Sequence, residues 1–215
     1  MAARTAPSDQ RPRTTRTRRS VAARGDGARL REEILNAAIA LVEELDDPWR
    51  LSLRSVAREV GVAATSIYLH FDSLESLLQA VKSELWGRFG DEMVSAADQA
   101  GPDPFDRIVA FGRAYVRFAA EQPGAFRTLF ATTWNLELPQ GESFVGQSQF
   151  ELIVDAVAEV STDREDAVQR ATQLWCGLHG MVMLRSPLSK FPWPDIDDQL
   201  VGLARQWSRP RPARD

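Results

Sequence analysis

Hydrophobic residues from Leu30 onward recur at the spacing of an α-helix, after a first stretch that has almost no large apolar side chains. In the first helical segment they lie one, four, seven, eight and eleven positions after the first of them, on one face of a helix: Ile34, Leu35, Ala38, Leu41, Val42 and Leu45. The run Asp46-Asp47-Pro48 predicts the end of that helix. Ser52 is a favourable N-cap and Gly61 a favourable terminator, so a short second helix is predicted between them.

The rest of the chain also reads as helices. A third short helix is predicted at about residues 63–70, and Asp72 and Ser73 offer a cap for a long fourth helix. Further helices are predicted near 104–121, 124–132, 143–160, 163–184 and 195–207, separated by stretches that contain proline and glycine. The sequence has no alternating strand pattern of useful length and no internal repeat. The predicted fold is therefore all-α, with about nine helices.

Length and composition indicate an ordinary globular protein. The 215 residues allow one or two domains, and 44% hydrophobic with 26% charged residues excludes a collagen-like or globally disordered chain. Cys176 is the single cysteine, so the chain forms neither an intramolecular disulfide nor a cysteine-based metal site. No stretch reaches the roughly 18 apolar residues of a membrane span, and residues 1–29 lack the apolar core of a secretory signal. We expect a cytoplasmic protein that does not interact with a membrane.

Charge is distributed unevenly along the chain. The net charge of −4 combines +6 in residues 1–29, −13 in residues 30–204 and +3 in residues 205–215. The first of these segments is rich in arginine, threonine, alanine and proline and has too few large apolar side chains to fold, so we expect a disordered arm there. A basic arm of this kind binds polyanions or serves as a solubilising tail, and the charge alone leaves both interpretations open.

The second and third predicted helices, joined at Gly61, have the plan of a helix-turn-helix. In that plan a glycine allows the tight turn, and apolar residues hold the two helices at a steep angle so that the exposed face of the second can enter the major groove of DNA. The apolar residues here are Val56, Ala57, Val62 and Ile67. Short helix pairs with an intervening glycine are also common in all-α proteins, so spacing alone does not establish DNA binding.

The residue identities in this region are more specific than the spacing. The stretch from Leu30 to Leu78, above all Gly61-Val62-Ala63-Ala64-Thr65-Ser66-Ile67-Tyr68-Leu69-His70-Phe71, resembles the DNA-binding domain of the tetracycline-repressor (TetR) family. Members of that family are mostly dimeric transcriptional repressors that leave palindromic operator DNA when a small molecule occupies the C-terminal domain. The resemblance therefore implies a homodimer, double-stranded DNA as a partner and a small-molecule effector.

Carried over residue by residue, the resemblance implies DNA contacts at eight positions: Ser52, Arg54, Ala64, Thr65, Ser66, Tyr68, Leu69 and His70. The hydroxyl and imidazole groups of Ser52, Tyr68 and His70 would donate hydrogen bonds to phosphate oxygens. Only Arg54 could make a bidentate contact to guanine. We therefore expect sparse base readout, with specificity that depends on DNA shape and on the spacing of two half-sites.

Two residues depart from the family's pattern. Leu74 stands where the family usually has a lysine, and Ala63 replaces a common capping serine at the start of the recognition helix. Residues 30–79 also carry a net charge of −5. A surface this acidic needs cations from elsewhere to approach phosphates, so we hypothesise that the arginines of residues 13–29 lie along the DNA backbone or in the adjacent minor groove.

Residues 80–208 hold most of the aromatic side chains and are predicted to form a second domain. Seven of their residues are candidates for the wall of a cavity that binds an apolar or aromatic ligand: Phe111, Tyr115, Phe130, Trp134, Trp175, His179 and Met183. Simple core packing is the alternative for this set, and a satisfied core histidine is the alternative for His179. The sequences 121–130 and Trp175-Cys176-Gly177-Leu178-His179-Gly180 resemble a TetR subgroup named for Trp, His and Gly, which implies a ligand-binding and dimerising domain.

An enzyme is not predicted. The two histidines fall in different predicted domains, and the sequence has no phosphate-binding loop or nucleophile elbow, so we predict no catalytic residue, no metal site and no cofactor. The predicted transcriptional regulator has four segments: an arm at 1–29, a helix-turn-helix domain at 30–79, a ligand-binding and dimerisation domain at 80–208 and a disordered tail at 209–215. Because the helix-turn-helix domain is acidic, a helical protein-interaction adaptor without specific DNA binding remains the alternative.

Overall fold

The computed structural model describes residues 26–45, 47–130, 146–185 and 187–209, and the structural statements below concern these residues. They form a 3-10 turn over Pro48–Arg50 and nine α-helices: α1 Asp26–Glu44, α2 Leu53–Val60, α3 Ala64–Ile67, α4 Leu74–Gln99, α5 Pro104–Glu121, α6 Pro123–Phe130, α7 Gln147–Ala158, α8 Arg164–Arg185 and α9 Ile196–Trp207. This part of the chain contains no strand, which confirms the all-α prediction. Most of the predicted arm and tail, residues 1–25 and 210–215, and the candidate Trp134 lie outside the described residues.

Two helices begin or end where their capping residues predict. The Ser52 hydroxyl oxygen accepts a hydrogen bond from the Ser55 backbone N–H, and the Ser55 hydroxyl oxygen accepts one from the Ser52 N–H, both at 3.1 Å. Gly61 then ends α2 in a left-handed conformation with a φ of +79°. α5 begins at Pro104, and the Asp103 carboxylate accepts hydrogen bonds from two backbone N–H groups of its first turn.

The first helix begins earlier than its apolar stripe predicts. α1 starts at Asp26 instead of Leu30, so the last four residues of the predicted arm are helical. This extra turn includes Arg29, whose Nε atom lies 3.5 Å from Oε1 of Glu33. An ion pair between residues four positions apart supports a helix without burying apolar surface. A prediction based on hydrophobic periodicity does not detect such a turn.

The third helix is shorter than predicted. α3 ends at Ile67, because the backbone N–H groups of His70 and Phe71 both bond the Ile67 carbonyl oxygen at 2.9 Å and close the chain into a turn. In α7, the described helix starts at Gln147 instead of residue 143, and residues 143–145 lie outside the described ranges.

The first three helices and the start of α4 share one hydrophobic core. Ile34 and Val42 of α1, Val56 of α2, Ile67 of α3 and Leu77 of α4 have no exposed surface. Helices as short as α2 and α3 are not stable in water by themselves, so this packing holds them in place.

α4 continues from this core into the C-terminal helices. Its first half buries Leu78 and Val81 together with the N-terminal helices, and its second half buries Trp86, Phe89 and Met93 in the C-terminal body. There it packs against α5, α6 and α7. One continuous helix therefore belongs to both halves of the molecule.

No helix in the described ranges is long and apolar enough to cross a membrane. Within the same ranges, no three His, Cys, Asp or Glu side chains are arranged to hold a metal ion.

Candidate functional sites

The residues from Ala64 to His70 form an exposed surface at the N-terminal end of the molecule, which we call the α3 face. Ile67 points into the core and has no exposed surface, so it fixes the orientation of α3. Thr65 is exposed on the opposite side, and Tyr68 and Leu69 are 53% and 82% exposed. A hydroxyl, a phenol and an apolar side chain presented together suit contacts with phosphate oxygens and thymine methyl groups.

The remaining predicted DNA-contacting residues lie on the same helix-turn-helix. Ser52 and Arg54 are exposed at the start of α2, whereas Ala64, Ser66 and His70 are half-buried. All eight predicted positions are therefore at least partly accessible. As the sequence indicates, Ala63 gives α3 no side-chain cap, and the first turn closes through the Ser66 N–H on the Ala63 carbonyl oxygen at 2.9 Å.

The start of α1 lies beside the α3 face. A Cβ atom built on Gly27 would stand 3.9 Å from Cε1 of His70. One turn further, the Arg31 guanidinium lies 4.7 Å from the centre of the Phe71 ring. The described chain therefore begins next to the surface on which the sequence places the DNA contacts.

The C-terminal helices enclose a partly open cavity of about 480 Å³. Most of its wall is aromatic or aliphatic, and the lining residues come from α4 to α8 and the residue before α7: Trp86, Phe89, Tyr115, Leu129, Phe130, Gly146, Gln149, Phe150, Ile153, Trp175, Cys176, His179 and Gly180. This volume lies in the range of small-molecule sites in proteins.

Four of the seven predicted cavity residues line this space: Tyr115, Phe130, Trp175 and His179. Phe111 is buried but does not line it, because its stretch of α5 packs against α9, where a Cβ on the neighbouring Gly112 would overlap Leu200. Met183 is 39% exposed near the end of α8 and does not line it either. Phe111 and Met183 are therefore not part of the wall of this cavity.

Two sides of the cavity were not predicted from the sequence. Trp86 and Phe89 of α4 form one of them, and Gln149, Phe150 and Ile153 of α7 form the other. The spacing of three residues between Trp86 and Phe89 indicates that both lie on one face of α4. It does not indicate which helix packs against that face. A helical pattern tells which residues are inside, not which helix they meet.

Two cavity residues are joined by a hydrogen bond. The Tyr115 hydroxyl lies 2.8 Å from Nδ1 of His179. Burial raises the pKa of the Tyr115 hydroxyl, and burial also lowers the pKa of His179. Both side chains are therefore uncharged near neutral pH.

A second polar arrangement joins the two halves of the molecule. The Glu43 carboxylate, at the end of α1, accepts hydrogen bonds from the backbone N–H groups of Gly124 at 3.0 Å and Ala125 at 2.8 Å, in the first turn of α6. In return, Arg127 of α6 donates a hydrogen bond to the Leu45 carbonyl oxygen at 3.1 Å. The carboxylate caps free N–H groups at a helix N-terminus, where negative charge is favoured. We call these contacts the α1–α6 clamp.

Comparison with known proteins places both halves of the chain. Residues 34–81 match the model described as bacterial regulatory proteins of the tetR family, and residues 108–201 match the model of a tetracyclin repressor-like C-terminal domain. An uncharacterized HTH-type transcriptional regulator of Mycobacterium tuberculosis, Rv0681, is 28% identical over 178 residues, which cover 81% of this chain and 77% of the relative.

Solved structures share the fold. A protein from Rhodococcus sp. RHA1 superposes with a TM-score of 0.69 at 24% identity, over 83% of this chain and 93% of the other. AibR, solved in complex with isovaleryl coenzyme A and operator DNA, superposes with a TM-score of 0.58 at 18% identity, over 84% of this chain and 99% of AibR.

The sequence matches and the fold agree with each other. The N-terminal match contains α2, the turn at Gly61 and α3, and the C-terminal match contains most of the cavity wall. The family consists of DNA-binding regulators and not of enzymes. The chain therefore belongs to the tetracycline-repressor family of transcriptional regulators.

Proposed function

We propose that the chain is a cytoplasmic, homodimeric repressor that leaves a palindromic operator when a small apolar or aromatic molecule enters the cavity. The observation that carries this proposal is the path of α4. Leu77 and Leu78 pack in the core that supports the α3 face, and Trp86 and Phe89 of the same helix form part of the cavity wall. A ligand that displaces these aromatic rings acts on the helix that supports the DNA-binding domain.

The release mechanism is a shift between two conformations. A dimer on an operator needs its two recognition helices about 34 to 36 Å apart, or slightly more, to meet successive major grooves. A ligand that binds more tightly to an arrangement with a different separation shifts the population toward it. By reciprocity, the ligand must then bind the DNA-bound protein more weakly than the free protein.

The C-terminal helices support dimerisation. α8 exposes Val168, Met183 and Leu184, and the residues after it expose Leu188 and Phe191, an amount of apolar surface that favours association. Placement of the chain in the Trp-His-Gly subgroup is part of the same proposal. It is supported by Trp175, His179 and Gly180, which all line the cavity.

Binding to the DNA that flanks the chain's own gene tests the function. In a gel-shift experiment with random DNA as competitor, a repressor retards a specific fragment, and an effective ligand releases it. The alternative, a helical protein-interaction adaptor, is favoured by the net charge of −5 in residues 30–79. Absence of specific retardation even at low salt, where phosphate contacts are strongest, would support the adaptor.

The change Arg54→Ala is expected to lower operator affinity by roughly 1–3 kcal/mol and to relax discrimination at one base pair, because Arg54 supplies the long, exposed donor at the start of α2. Affinities for the operator and for single-base variants of it, measured by fluorescence anisotropy, check this. Arg117→Ala is the control, since it removes the same charge from an exposed position of α5. Equal losses in the two variants would show that Arg54 contributes charge alone.

A further inference from the structure

The cavity wall contains no charged side chain among its described residues. Its polar side-chain atoms belong to Trp86, Tyr115, Gln149, Trp175, Cys176 and His179. An anionic or cationic ligand would lose its hydration without meeting an opposite charge, which is costly in a wall of this kind. The composition of the wall therefore favours an uncharged molecule.

The hydrogen bond between Tyr115 and His179 indicates the position of the proton on His179. A phenol O–H is a stronger donor than an imidazole N–H, and an imidazole nitrogen is a stronger acceptor than a phenol oxygen. The Tyr115 hydroxyl then donates its single hydrogen to Nδ1 of His179, 2.8 Å away. A neutral imidazole that accepts at Nδ1 carries its hydrogen on Nε2. His179 is therefore a hydrogen-bond donor through Nε2.

Nε2 of His179 has no hydrogen-bond partner within the described residues, and it is not one of their buried unpartnered atoms. His179 lines the cavity, so a ligand that supplies an acceptor can bond this nitrogen.

We propose that the cavity selects an uncharged, largely apolar ligand that carries a carbonyl-type hydrogen-bond acceptor, such as a ketone, ester or lactone, held by Nε2–H of His179. This rests on the proposed function, because it defines the effector of the same cavity. Tyr115 acts as a positioning residue, since it sets the tautomer of His179 without being the donor itself. The aromatic rings of the wall would hold the apolar part of the ligand.

Three tricyclic compounds with one skeleton test the ligand class: fluorene, 9-fluorenone and fluorene-9-carboxylate. Isothermal titration calorimetry of the full chain should give an affinity for fluorenone roughly three- to tenfold higher than for fluorene, because one hydrogen bond to the carbonyl is gained. The carboxylate should bind at least about tenfold more weakly than fluorenone, because the wall has no cation for it. Equal affinities for fluorene and fluorenone, or no binding of either, would overturn the proposal.

Substitutions then locate the donor. His179→Phe keeps an aromatic ring in place and should reduce the preference for fluorenone over fluorene, while Trp193→Phe, a change outside the cavity, should leave the preference unchanged. Tyr115→Phe should reduce the preference too, because Nδ1 of His179 loses its donor and the imidazole is free to move its hydrogen. A preference that is unchanged in His179→Phe would overturn the assignment of the donor.

The tautomer of His179 can be observed directly. The chain has only two histidines, so ¹⁵N spectra of the imidazoles, with His179→Phe for assignment, distinguish a hydrogen on Nε2 from one on Nδ1. We expect the hydrogen of the His179 imidazole on Nε2 in the wild type, and a larger share of it on Nδ1 in Tyr115→Phe. A hydrogen on Nδ1 in the wild type would contradict the proposal. Gel shifts separate this proposal from the proposed function: fluorenone that binds selectively without changing operator affinity would contradict the repressor mechanism and leave the ligand class standing.

Discussion

Deletion of residues 1–24 is expected to lower operator affinity by about a hundredfold at low salt and to flatten the salt dependence of binding. The deleted segment contains seven arginines and a single acidic residue, Asp9. Each phosphate contact that is lost should reduce the slope of log K against log salt by about 0.9. A titration of operator affinity from low to physiological salt, for the full chain and the deletion, measures both effects.

The physical reason is that the helix-turn-helix cannot supply this charge. Residues 30–79 carry a net charge of −5, and Leu74 stands where the family usually has a lysine. The structure adds a geometric reason, since the described chain begins beside the α3 face, with Gly27 next to His70. Arginines that precede Asp26 are therefore attached at the edge of the surface that is expected to meet the DNA.

Deletion of residues 210–215 is a control for position. It removes Arg211, Arg214 and Asp215 from the other basic end of the chain, which follows α9 and not the helix-turn-helix. It should leave both the affinity and the slope unchanged. If the N-terminal deletion also leaves the slope unchanged, the arm is a solubilising tail and the phosphate contacts come from the folded domain alone.

Capping residues and helical periodicity were sufficient to predict most of the fold. Ser52 and Gly61 mark the two ends of α2 through bonds or conformations that involve near neighbours in the sequence. Local chemistry of this kind is independent of the rest of the structure. The start of α1 was missed because its added turn, with Arg29, buries little apolar surface and so leaves no periodic signal.

The cavity was only partly predictable. Tyr115, Trp175 and His179 were identified from their residue types and the family resemblance, but Phe111 has the same character and packs elsewhere. Phe111 and Tyr115 lie four positions apart on one face of α5, so periodicity cannot separate them. Which of them meets open space depends on how α5 crosses α4, α7, α8 and α9, and this is a property of the assembled bundle.

The α1–α6 clamp was not predictable at all. Glu43 appeared in the sequence as one of several acids on a solvated helix, and Gly124 as a residue near the start of a short helix. They are separated by 81 positions in the chain. Their contact brings α6, which carries Leu129 and Phe130 of the cavity wall, against the end of α1 in the DNA-binding domain. The clamp therefore offers a second connection between ligand and DNA, besides α4.

The change Gly124→Ala is expected to destabilise the protein by about 3 kcal/mol, because there is no room for a side chain between α6 and α1. A Cβ atom at this position would stand 2.4 Å from Cα of Glu43 and 2.5 Å from the carbonyl oxygen of Val42, and both are backbone atoms that cannot rotate away. The helices must move apart, which also breaks the hydrogen bonds to the Glu43 carboxylate. Thermal or urea unfolding measures the loss of stability. Gly87→Ala is the control, because Gly87 lies at an exposed position of α4 with open space around it, and this change should stabilise the protein by up to about 1 kcal/mol.

Glu43→Gln separates the role of the clamp in signalling from its role in stability. Glutamine has the shape of glutamate but no charge and only one acceptor oxygen. One of the two N–H groups of Gly124 and Ala125 therefore keeps an uncharged acceptor and the other meets an NH2 group, at a cost of roughly 1.5–3 kcal/mol. If α6 transmits the ligand's effect to α1, this variant should bind an effector of the cavity as tightly as the wild type, but the effector should release it less completely from the operator. Wild-type release in Glu43→Gln would mean that the hydrogen bonds of the Glu43 carboxylate do not couple the cavity to the DNA-binding domain and only hold the two halves together.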